Sequence, residues 1–418
     1  MLASFRHPAY SWLWLSNVAG SAGRWALVLV LSAQLLQLTH SSFWVGLGLF
    51  LTQGPVILMA PYSGALADRF DRRMLNVVSS ALSAAITGLF ALLTWTGRIS
   101  LPAILILSLA YGVTFVFQMT LRSTLVPSLV PPARLLNAVS LFQVGTLGAQ
   151  FLGPAMATPV LAGFGAAAAW ALCTALYAAS ALLTVFVGEQ RTGAARTAEP
   201  HRLLDSLAYL RARPLAWTAI LAVTLHCSLT MAYPGMLPMF VNMDLGAGPS
   251  VYGLLLATIG LGAVLGSLLL AAVSGTRYRP ALFVVSLVGS GVSLTVMGLA
   301  PSAGIALVAG FLVGGTQAMF MSMTLALIQD SVEDEFRGRA TSLYQTITLA
   351  PMAIFGWGMG GLADITEPRP LLAASGIVFV AVMAAYATFS PSLRRLFSPG
   401  GWRRRDHALP RPARLPLG

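Results

Sequence analysis

The sequence predicts an all-α membrane protein with twelve transmembrane helices in two pseudo-symmetric six-helix bundles. Three observations predict it: the composition, the succession of apolar runs and the placement of the arginines. Of the 418 residues, 57% are hydrophobic and only 9% are charged, whereas soluble domains carry about 25% charged residues. The apolar residues run continuously instead of alternating, as lipid-embedded helices require and barrel strands do not. The composition therefore excludes an ordinary soluble enzyme and a disordered chain.

The apolar runs form twelve segments, each close to the roughly 20 residues that a membrane-crossing helix needs. A polar stretch separates the first six segments from the last six. We therefore expect an N-terminal bundle (1–188), a cytoplasmic linker (189–213), a C-terminal bundle (214–393) and a basic, disordered cytoplasmic tail (394–418). The predicted helices lie near 11–37, 43–65, 74–96, 101–121, 138–162, 166–188, 214–242, 250–274, 279–300, 302–328, 341–363 and 369–392.

All 25 basic residues are arginine, and their distribution predicts the topology. When the loops are assigned alternately to two sides, 22 arginines fall on the side of both termini. Arg98 and Arg369 fall on the other side, and Arg24 lies within a helix. Because basic residues are enriched on the cytoplasmic side, we expect a multi-pass protein of the bacterial inner membrane with both termini in the cytoplasm. Anionic lipid headgroups, not nucleic acid, are the expected partners of these arginines, because aromatic residues are not interleaved with them.

A short internal repeat relates the two bundles. Residues 138–141 read AVSL at the start of the fifth predicted helix, and residues 340–343 read ATSL at the start of the eleventh, 202 residues later. Two six-helix halves with a binding site between them are a common architecture of transporters.

The loop between the second and third predicted helices carries a recognisable signature. From Gly64 to Arg73 it reads GALADRFDRR: a glycine, a leucine, an Asp-Arg pair and a basic pair. This resembles the loop signature of the major facilitator superfamily, with Asp71 in place of the usual second glycine, as in its siderophore and macrolide exporter branch. Over nearly the whole chain, the resemblance implies the fold and the activity of a secondary transporter. Further segments that resemble the same branch contain Arg122 with 125–127, Asn137 with Ala138, Gly153 with Pro154, and 337–340.

The same loop places a carboxylate among arginines. Asp68 lies where a helix ends at the cytoplasmic surface, and Gly64 lets two helices approach closely. The resemblance implies that Asp68 holds the outward-facing state as a gating latch, by pairing with an arginine or with a helix N-terminus of the other half. The alternative is a solvated charge cluster that only determines topology. The arginines assigned to this gating motif are Arg69, Arg72, Arg73, Arg122, Arg337 and Arg339.

The fifth predicted helix carries small residues four positions apart. They are Gly145, Ala149, Gly153 and Ala157, and Pro154 allows a bend. This stripe resembles a degraded form of the superfamily's antiporter signature, which is typical of exporters. Ordinary helix packing through small residues would produce the same stripe.

Arg24 is the charged residue that lies deepest in a predicted helix, about 13 residues from its start, roughly 20 Å at 1.5 Å per residue. A charge near the bilayer centre costs about 2.5–3.5 kcal/mol on insertion scales, so it should face a cavity and have a partner. No acidic residue lies at a comparable depth. The partner is therefore backbone carbonyls, water or an anionic group of the substrate. Asn17 and Ser21 share the helical face of Arg24, and all three are assigned to the substrate site.

Other polar side chains form comparable stripes. His226 is the one histidine inside a predicted helix, and it shares a face with Thr230 and Tyr233. Since histidine titrates near neutral pH, His226 and Asp68 are the candidates for carrying a coupling proton. A histidine that is only hydrogen-bonded is the alternative. The remaining residues assigned to the substrate site are Tyr111 and Gln118, Gln143 and Gln150, and Gln317 with Met321.

The sequence contains no catalytic motif. It lacks the phosphate-binding loop of ATPases and the HExxH and GxSxG signatures, and its two cysteines form no CxxC pair. We therefore expect no enzyme activity, no cofactor and no metal. The predicted function is secondary active export of an amphipathic small molecule, such as a siderophore, an antibiotic or a drug-like compound, by alternating access and proton antiport. Arg24 favours a neutral or anionic cargo.

Two other classes stay open. The first is an importer or a lipid or lysophospholipid flippase on the same fold, and the second is a membrane receptor or enzyme that does not transport. In each case membrane lipids surround the chain, and for the transporter classes a small-molecule substrate and protons are the further partners. We expect a monomer.

Overall fold

The chain is helical, as the sequence predicts. The structure is a computed structural model that describes residues 3–59, 62, 66, 70–131, 134–188, 203–273, 278–333, 336–398 and 402. Within these residues there is no strand. The helices are α1 (Pro8–Thr39), α2 (Ser42–Gln53), α3 (Arg72–Trp95), α4 (Leu101–Leu129), α5 (Leu135–Val185), α6 (Leu203–Arg211), α7 (Pro214–Leu229), α8 (Pro249–Ala272), α9 (Arg279–Gly298), α10 (Ala303–Asp330), α11 (Arg337–Thr366), α12 (Pro368–Phe389) and α13 (Pro391–Arg395).

Proline begins many of these helices. It lies in the first turn, where its missing N–H would have no helical partner and its fixed φ suits the helix. Proline also interrupts the seventh predicted helix. The α7 helix ends at Leu229, and the chain then forms short helical turns that contain Pro234 and Pro238 before α8 begins. The helix predicted over 214–242 is therefore interrupted after Leu229. The first-turn prolines are those of α1, α4, α7, α8, α9, α12 and α13.

The number of membrane crossings depends on α5. Among the described residues, eleven helices are long and apolar enough to cross a membrane. The α5 helix has 51 residues, about 75 Å of helix, which is more than twice the hydrocarbon thickness of about 30 Å. At Gly165 its backbone leaves the helical conformation, with φ of 81° and ψ of −179°. Glycine adopts this positive φ without the steric cost of a Cβ atom.

The two arms of α5 run in opposite directions along α1. As the α1 residue number rises, the partner's number rises in the first arm and falls in the second, so the chain folds back at Gly165. Two antiparallel arms fit the prediction of twelve spans, although that count itself stays a prediction. The hydrogen bonds that show the directions are Trp14 to Leu141, Asn17 to Thr146, Ser16 to Thr184 and Gln34 to Trp170.

The buried apolar residues form three clusters, and these clusters show on which side of the protein the two halves share a core. We call the side on which α1 begins the terminal side and the side on which α1 ends the far side. One cluster near the far side contains residues of both halves, from Ala26 to Leu372. Near the terminal side, the N-terminal and C-terminal halves have separate clusters. The halves therefore share one core on the far side and have separate cores on the terminal side.

Candidate functional site

Glycines bring the backbones of the two halves together near the far side. A Cβ atom on Gly46 of α2 would lie 3.0 Å from the backbone of Gly356 and Trp357 in α11. A Cβ atom on Gly260 of α8 would lie 2.6 Å from the backbone carbon of Gln150 in α5. Small residues permit such close helix contacts in a membrane, where packing provides much of the association energy. We call these two contacts the glycine seam.

A small cleft of about 20 Å³, with room for about one water molecule, lies beside the seam. It lies between α2 of the N-terminal half, the interrupted segment after α7 and helix α11 of the C-terminal half. Its walls are mostly apolar with one amide side chain. The lining residues are Gly46, Leu49, Phe50, Gln53, Pro234, Gly235, Met352, Ala353 and Gly356.

Arg24 reaches this cleft through Gln53. Its Nη2 donates to Gln53 Oε1 at 3.2 Å, and its guanidinium lies over the rings of Phe115 at 4.3 Å and Trp25 at 5.5 Å. A weakly hydrated guanidinium stacks favourably on aromatic faces. Among the described residues, no carboxylate pairs with Arg24. The amide oxygen of Gln53 and two aromatic faces, instead of a carboxylate, therefore stabilise the positive charge of Arg24 next to the cleft.

Asn17 and Ser21 do not continue this site. Asn17 Nδ2 donates to Thr146 Oγ1 at 2.9 Å, and Ser21 Oγ donates to Asn17 Oδ1 at 3.4 Å. The first bond joins α1 to the first arm of α5 and the second lies within α1, whereas Arg24 contacts α2 and α4. The shared helical face therefore divides between two neighbours.

Arg122 is a second interior cation. It is 7% exposed, and its Nη2 donates to Gln118 Oε1 and Ser180 Oγ, each at 3.0 Å. Its Nε has no partner. A Cβ atom on Gly20 would lie 2.2 Å from Nη2, so the guanidinium packs directly against α1. The side chain thus lies inside the N-terminal half, whereas its assignment to the gating motif predicts a position at the cytoplasmic surface.

Tyr111 and Gln118 belong to the same interior network. The hydroxyls of Tyr111 and Tyr177 are 2.6 Å apart, and Gln118 Nε2 donates to Ser83 Oγ at 2.7 Å. These contacts join α4 to α3 and to the second arm of α5. Both predicted residues therefore face the interior of their own half.

His226 lies inside the C-terminal half. Its Nε2 is 2.9 Å from Ser290 Oγ, its ring stacks on Phe320 at 4.5 Å, and Nδ1 has no partner. Thr230 Oγ1 donates to the carbonyl of His226, and Gln317 Nε2 donates to the carbonyl of Thr230. These residues contact α9 and α10 and do not line the cleft.

The two remaining predicted residues of the C-terminal half lie in different apolar clusters. Tyr233 is buried in the shared core, next to the cleft residue Pro234. Met321 is partly exposed, with its sulfur 3.9 Å from Cys227 Sγ and 3.5 Å from the hydroxyl of Tyr344.

The polar and small residues of α5 serve its packing. The backbone of Gln150 forms part of the glycine seam, and Gln143, two turns toward the terminal side, is exposed. Cβ atoms on Gly145 and Gly153 would meet Trp14 at 2.9 Å and the carbonyl of Ala22 at 2.4 Å, so the small-residue stripe packs on α1. Pro154 lies within the arm, and its carbonyl accepts from Thr158 at 2.6 Å.

Part of the gating loop can be placed. Gly64, Asp68 and Arg69 lie outside the described residues. Asp71 caps α3 by accepting from the N–H of Arg73 at 2.9 Å, Arg72 is the first residue of α3, and Arg73 Nη2 donates to the carbonyl of Val185. Arg337 and Arg339 lie in the first turn of α11, and their side chains fall outside the described part of the chain.

Sequence reasoning missed Gln53, Phe115 and Gly46, which bring Arg24 to the cleft. Gln53 is a polar residue within an apolar run, and Gly46 and Gly48 precede it one to two turns earlier. That pattern could have marked α2 as a helix that contacts the other half. Phe115 has no such signal, because an aromatic residue in an apolar helix is ordinary.

Family comparison agrees with this architecture. Residues 1–396 match the family described as transmembrane secretion effectors, which belongs to the major facilitator type. The chain belongs to this family. It is 25% identical over 403 residues to the enterobactin exporter EntS of Citrobacter koseri, with 94% of each chain covered. It is also 25% identical over 397 residues to the enterobactin exporter EntS of Salmonella choleraesuis.

Solved structures show the same fold. A POT family transporter in complex with a thioalcohol-conjugated peptide superposes with a TM-score of 0.74 at 11% identity, covering 92% of this chain and 96% of that one. The nucleoside transporter NupG superposes with a TM-score of 0.72 at 12% identity, covering 91% and 98%. The predicted all-α membrane fold of the major facilitator type is therefore confirmed, and the count of twelve helices stays a prediction. The chain is a membrane transporter of the major facilitator type, related to enterobactin exporters, and its relatives are transporters, not enzymes.

Proposed function

We propose that this chain exports an amphipathic small molecule, neutral or anionic, from the bacterial cytoplasm across the inner membrane by alternating access. A siderophore or an antibiotic is the class of cargo we favour, and proton antiport is the proposed drive. The observation that carries the proposal is the guanidinium of Arg24, which lies beside an apolar cleft between the halves without a carboxylate partner among the described residues.

The electrostatics of Arg24 support an anionic or hydrogen-bond-accepting cargo. An isolated cation in a low-dielectric interior is costly, and a guest that accepts hydrogen bonds from it lowers that cost. A lipophilic cation would add a like charge nearby and would be repelled. In the proposed cycle the rearrangement of the halves enlarges the cleft, and its apolar lining then suits the rest of an amphipathic molecule. The enterobactin exporters among the relatives are consistent with such a cargo.

The packing of the two halves supports alternating access. They share a core on the far side and separate on the terminal side, which is the arrangement expected for loading from the terminal side. We assign that side to the cytoplasm from the arginine distribution, and the two bundles 1–188 and 214–393 to the bodies that rock. The protein acts as a monomer in this proposal.

For proton coupling, the candidates stay Asp68 and His226. The aromatic stacking of His226 and its distance from the cleft favour Asp68, where the loop signature resembles that of the superfamily.

The test uses inside-out vesicles from an export-deficient bacterial strain that produces the protein. A panel of catecholate siderophores and anionic, neutral and cationic antibiotics is offered with an imposed proton gradient. We expect uptake of a neutral or anionic compound, its abolition by Arg24→Ala with normal membrane insertion, and retention in Arg98→Ala, which removes an exposed arginine of the same half.

Undiminished uptake in Arg24→Ala would rule out the cargo role of this residue. Uptake with the opposite sidedness would identify an importer, and movement of labelled phospholipid alone would identify a flippase.

A further inference from the structure

Asp364, near the end of α11, joins the two halves on the far side. Its Oδ1 accepts from the backbone N–H of Ser42 at 2.6 Å, and its Oδ2 accepts from Ser41 Oγ at 2.5 Å and from the N–H of Phe43 at 3.1 Å. All three donors belong to the N-terminal half, at the start of α2. One carboxylate of the C-terminal half therefore holds three groups of the other half.

This contact completes a helix end that its own half leaves open. The first N–H groups of a helix have no partner within the helix, and the aligned peptide dipoles make that end positive. Ser41 is the N-cap residue of α2, but its side chain does not bond back to the helix. Asp364 supplies the missing acceptor, and charge-assisted bonds of this kind are stronger than neutral ones.

The position of the contact makes it sensitive to opening. It lies at the outer end of the glycine seam, where a Cβ atom on Gly360 would be 2.4 Å from the carbonyl of Ser42. Separating α2 from α11 on the far side must break all three hydrogen bonds together. Because Asp364 is exposed, forming the contact removes little water from its carboxylate, and the released carboxylate is hydrated again. The contact can therefore form and break reversibly.

We propose that Asp364 is a positioning residue of the transport cycle, which keeps the far side closed while cargo loads from the terminal side. This inference rests on the proposed alternating access. In that cycle, opening toward the far side requires Asp364 to leave the end of α2. The latch acts on the side of the protein opposite to the gating role that the loop signature implies for Asp68.

The test measures the opening of the far side without any cargo. In the purified full-length protein in lipid nanodiscs, spin labels are placed on Arg98→Cys and Ser302→Cys, exposed loop positions in the two halves, after Cys173→Ala and Cys227→Ala. Distances between the labels are read by pulsed electron resonance. We expect Asp364→Asn to raise the ratio of long to short distances by about tenfold, as the loss of charge-assisted hydrogen bonds predicts.

The matched control is Glu367→Gln, which neutralises an exposed carboxylate three residues further on. We expect it to leave the distances unchanged, and Ser41→Ala, which removes one of the three donors, to give a smaller shift than Asp364→Asn. If Asp364→Asn is not recovered folded, Ser41→Ala decides.

An Asp364→Asn distribution equal to that of the wild type would overturn the latch. Since the distances need no cargo, that outcome is distinguishable from a failure of export. A shift in the distances with no uptake of any compound would instead count against the proposed function alone.

Discussion

The two halves of this transporter have similar helical scaffolds and different interiors. The N-terminal half buries two arginines, Arg24 and Arg122, in a network of amides and hydroxyls. In the described part of the C-terminal half, the ion pairs Arg213–Glu333 and Arg369–Asp244 lie at helix ends, and His226 lies in an aromatic stack. In the proposed function, this difference makes the N-terminal half the part that recognises charge and the C-terminal half its apolar partner.

The largest effect on stability is expected where α1 packs on the buried cation. A Cβ atom in Gly20→Ala would lie 2.2 Å from Arg122 Nη2, so the guanidinium must move away from Gln118 and Ser180. Overpacking of this kind costs about 1–3 kcal/mol. We expect a lower midpoint of thermal unfolding in detergent.

Gly148→Ala is the control for this substitution, because its Cβ atom would have no neighbour within 4 Å. Its midpoint should equal that of the wild type or exceed it, since alanine favours helix. Equal midpoints for Gly20→Ala and Gly148→Ala would show that Arg122 is not held against α1.

A smaller effect is expected from the buried histidine of the other half. His226→Gln keeps a hydrogen-bonding group near Ser290 and removes the ring that stacks on Phe320. We expect transport driven by a proton gradient to stay within about threefold of the wild type, because a residue outside the cleft acts on packing. The measurement compares gradient-driven uptake with cargo exchange at equal pH.

Loss of gradient-driven uptake with normal exchange would instead assign the coupling proton to His226. The C-terminal half would then hold the chemistry of coupling, and the division between the halves would have to be revised.

The smallest effect concerns the far end of the C-terminal half. Burial raises the pKa of Asp244, and Arg369 opposes the increase only in part. The reason is geometric: Arg369 Nε is 3.3 Å from Oδ1, its other nitrogens donate to the carbonyls of Asp244 and Ala300, and Oδ2 has no partner.

The sign of the pH dependence follows from this raised pKa. The folded protein binds the Asp244 proton more tightly than the unfolded chain. The resulting stabilisation is complete below the unfolded pKa of 3.8 and is lost as pH rises through the folded value. Asp244→Asn stays neutral at every pH, so the midpoint of thermal unfolding of this variant should rise relative to that of the wild type as the pH is raised above the unfolded pKa. Asp330→Asn, at an exposed helix end that is not among the groups acting on Asp244, should show no such trend; a parallel trend in both variants would refute the assignment.

Much of the fold could be predicted because each feature is local in sequence. A run of apolar residues must become a helix in lipid, since backbone groups there need internal partners. The prolines after Leu229 predict a bend, and the helix is interrupted there. The 51-residue α5 shows the limit of this reasoning: two apolar runs were predicted, but only the conformation of Gly165 and the contacts with α1 show how they fold back.

The candidate site was predictable in part. Arg24 could be singled out from its depth in an apolar run alone, because a charge there is costly. Its partners could not, since Gln53 and Phe115 lie on other helices and a periodic pattern does not reveal which helices are neighbours. For the same reason, Asn17 and Gln118 shared predicted polar faces but bond within their own half.

By itself, the sequence determined the helical class, the expected topology and the family, because these depend on composition, charge placement and local motifs. Only the tertiary structure decided which helices are neighbours, and therefore which side chains surround Arg24. It also showed that the carboxylate of Asp364 caps a helix of the other half. The physical reason is that contacts between helices depend on their packing in three dimensions, where a glycine on one helix admits the backbone of another far away in sequence.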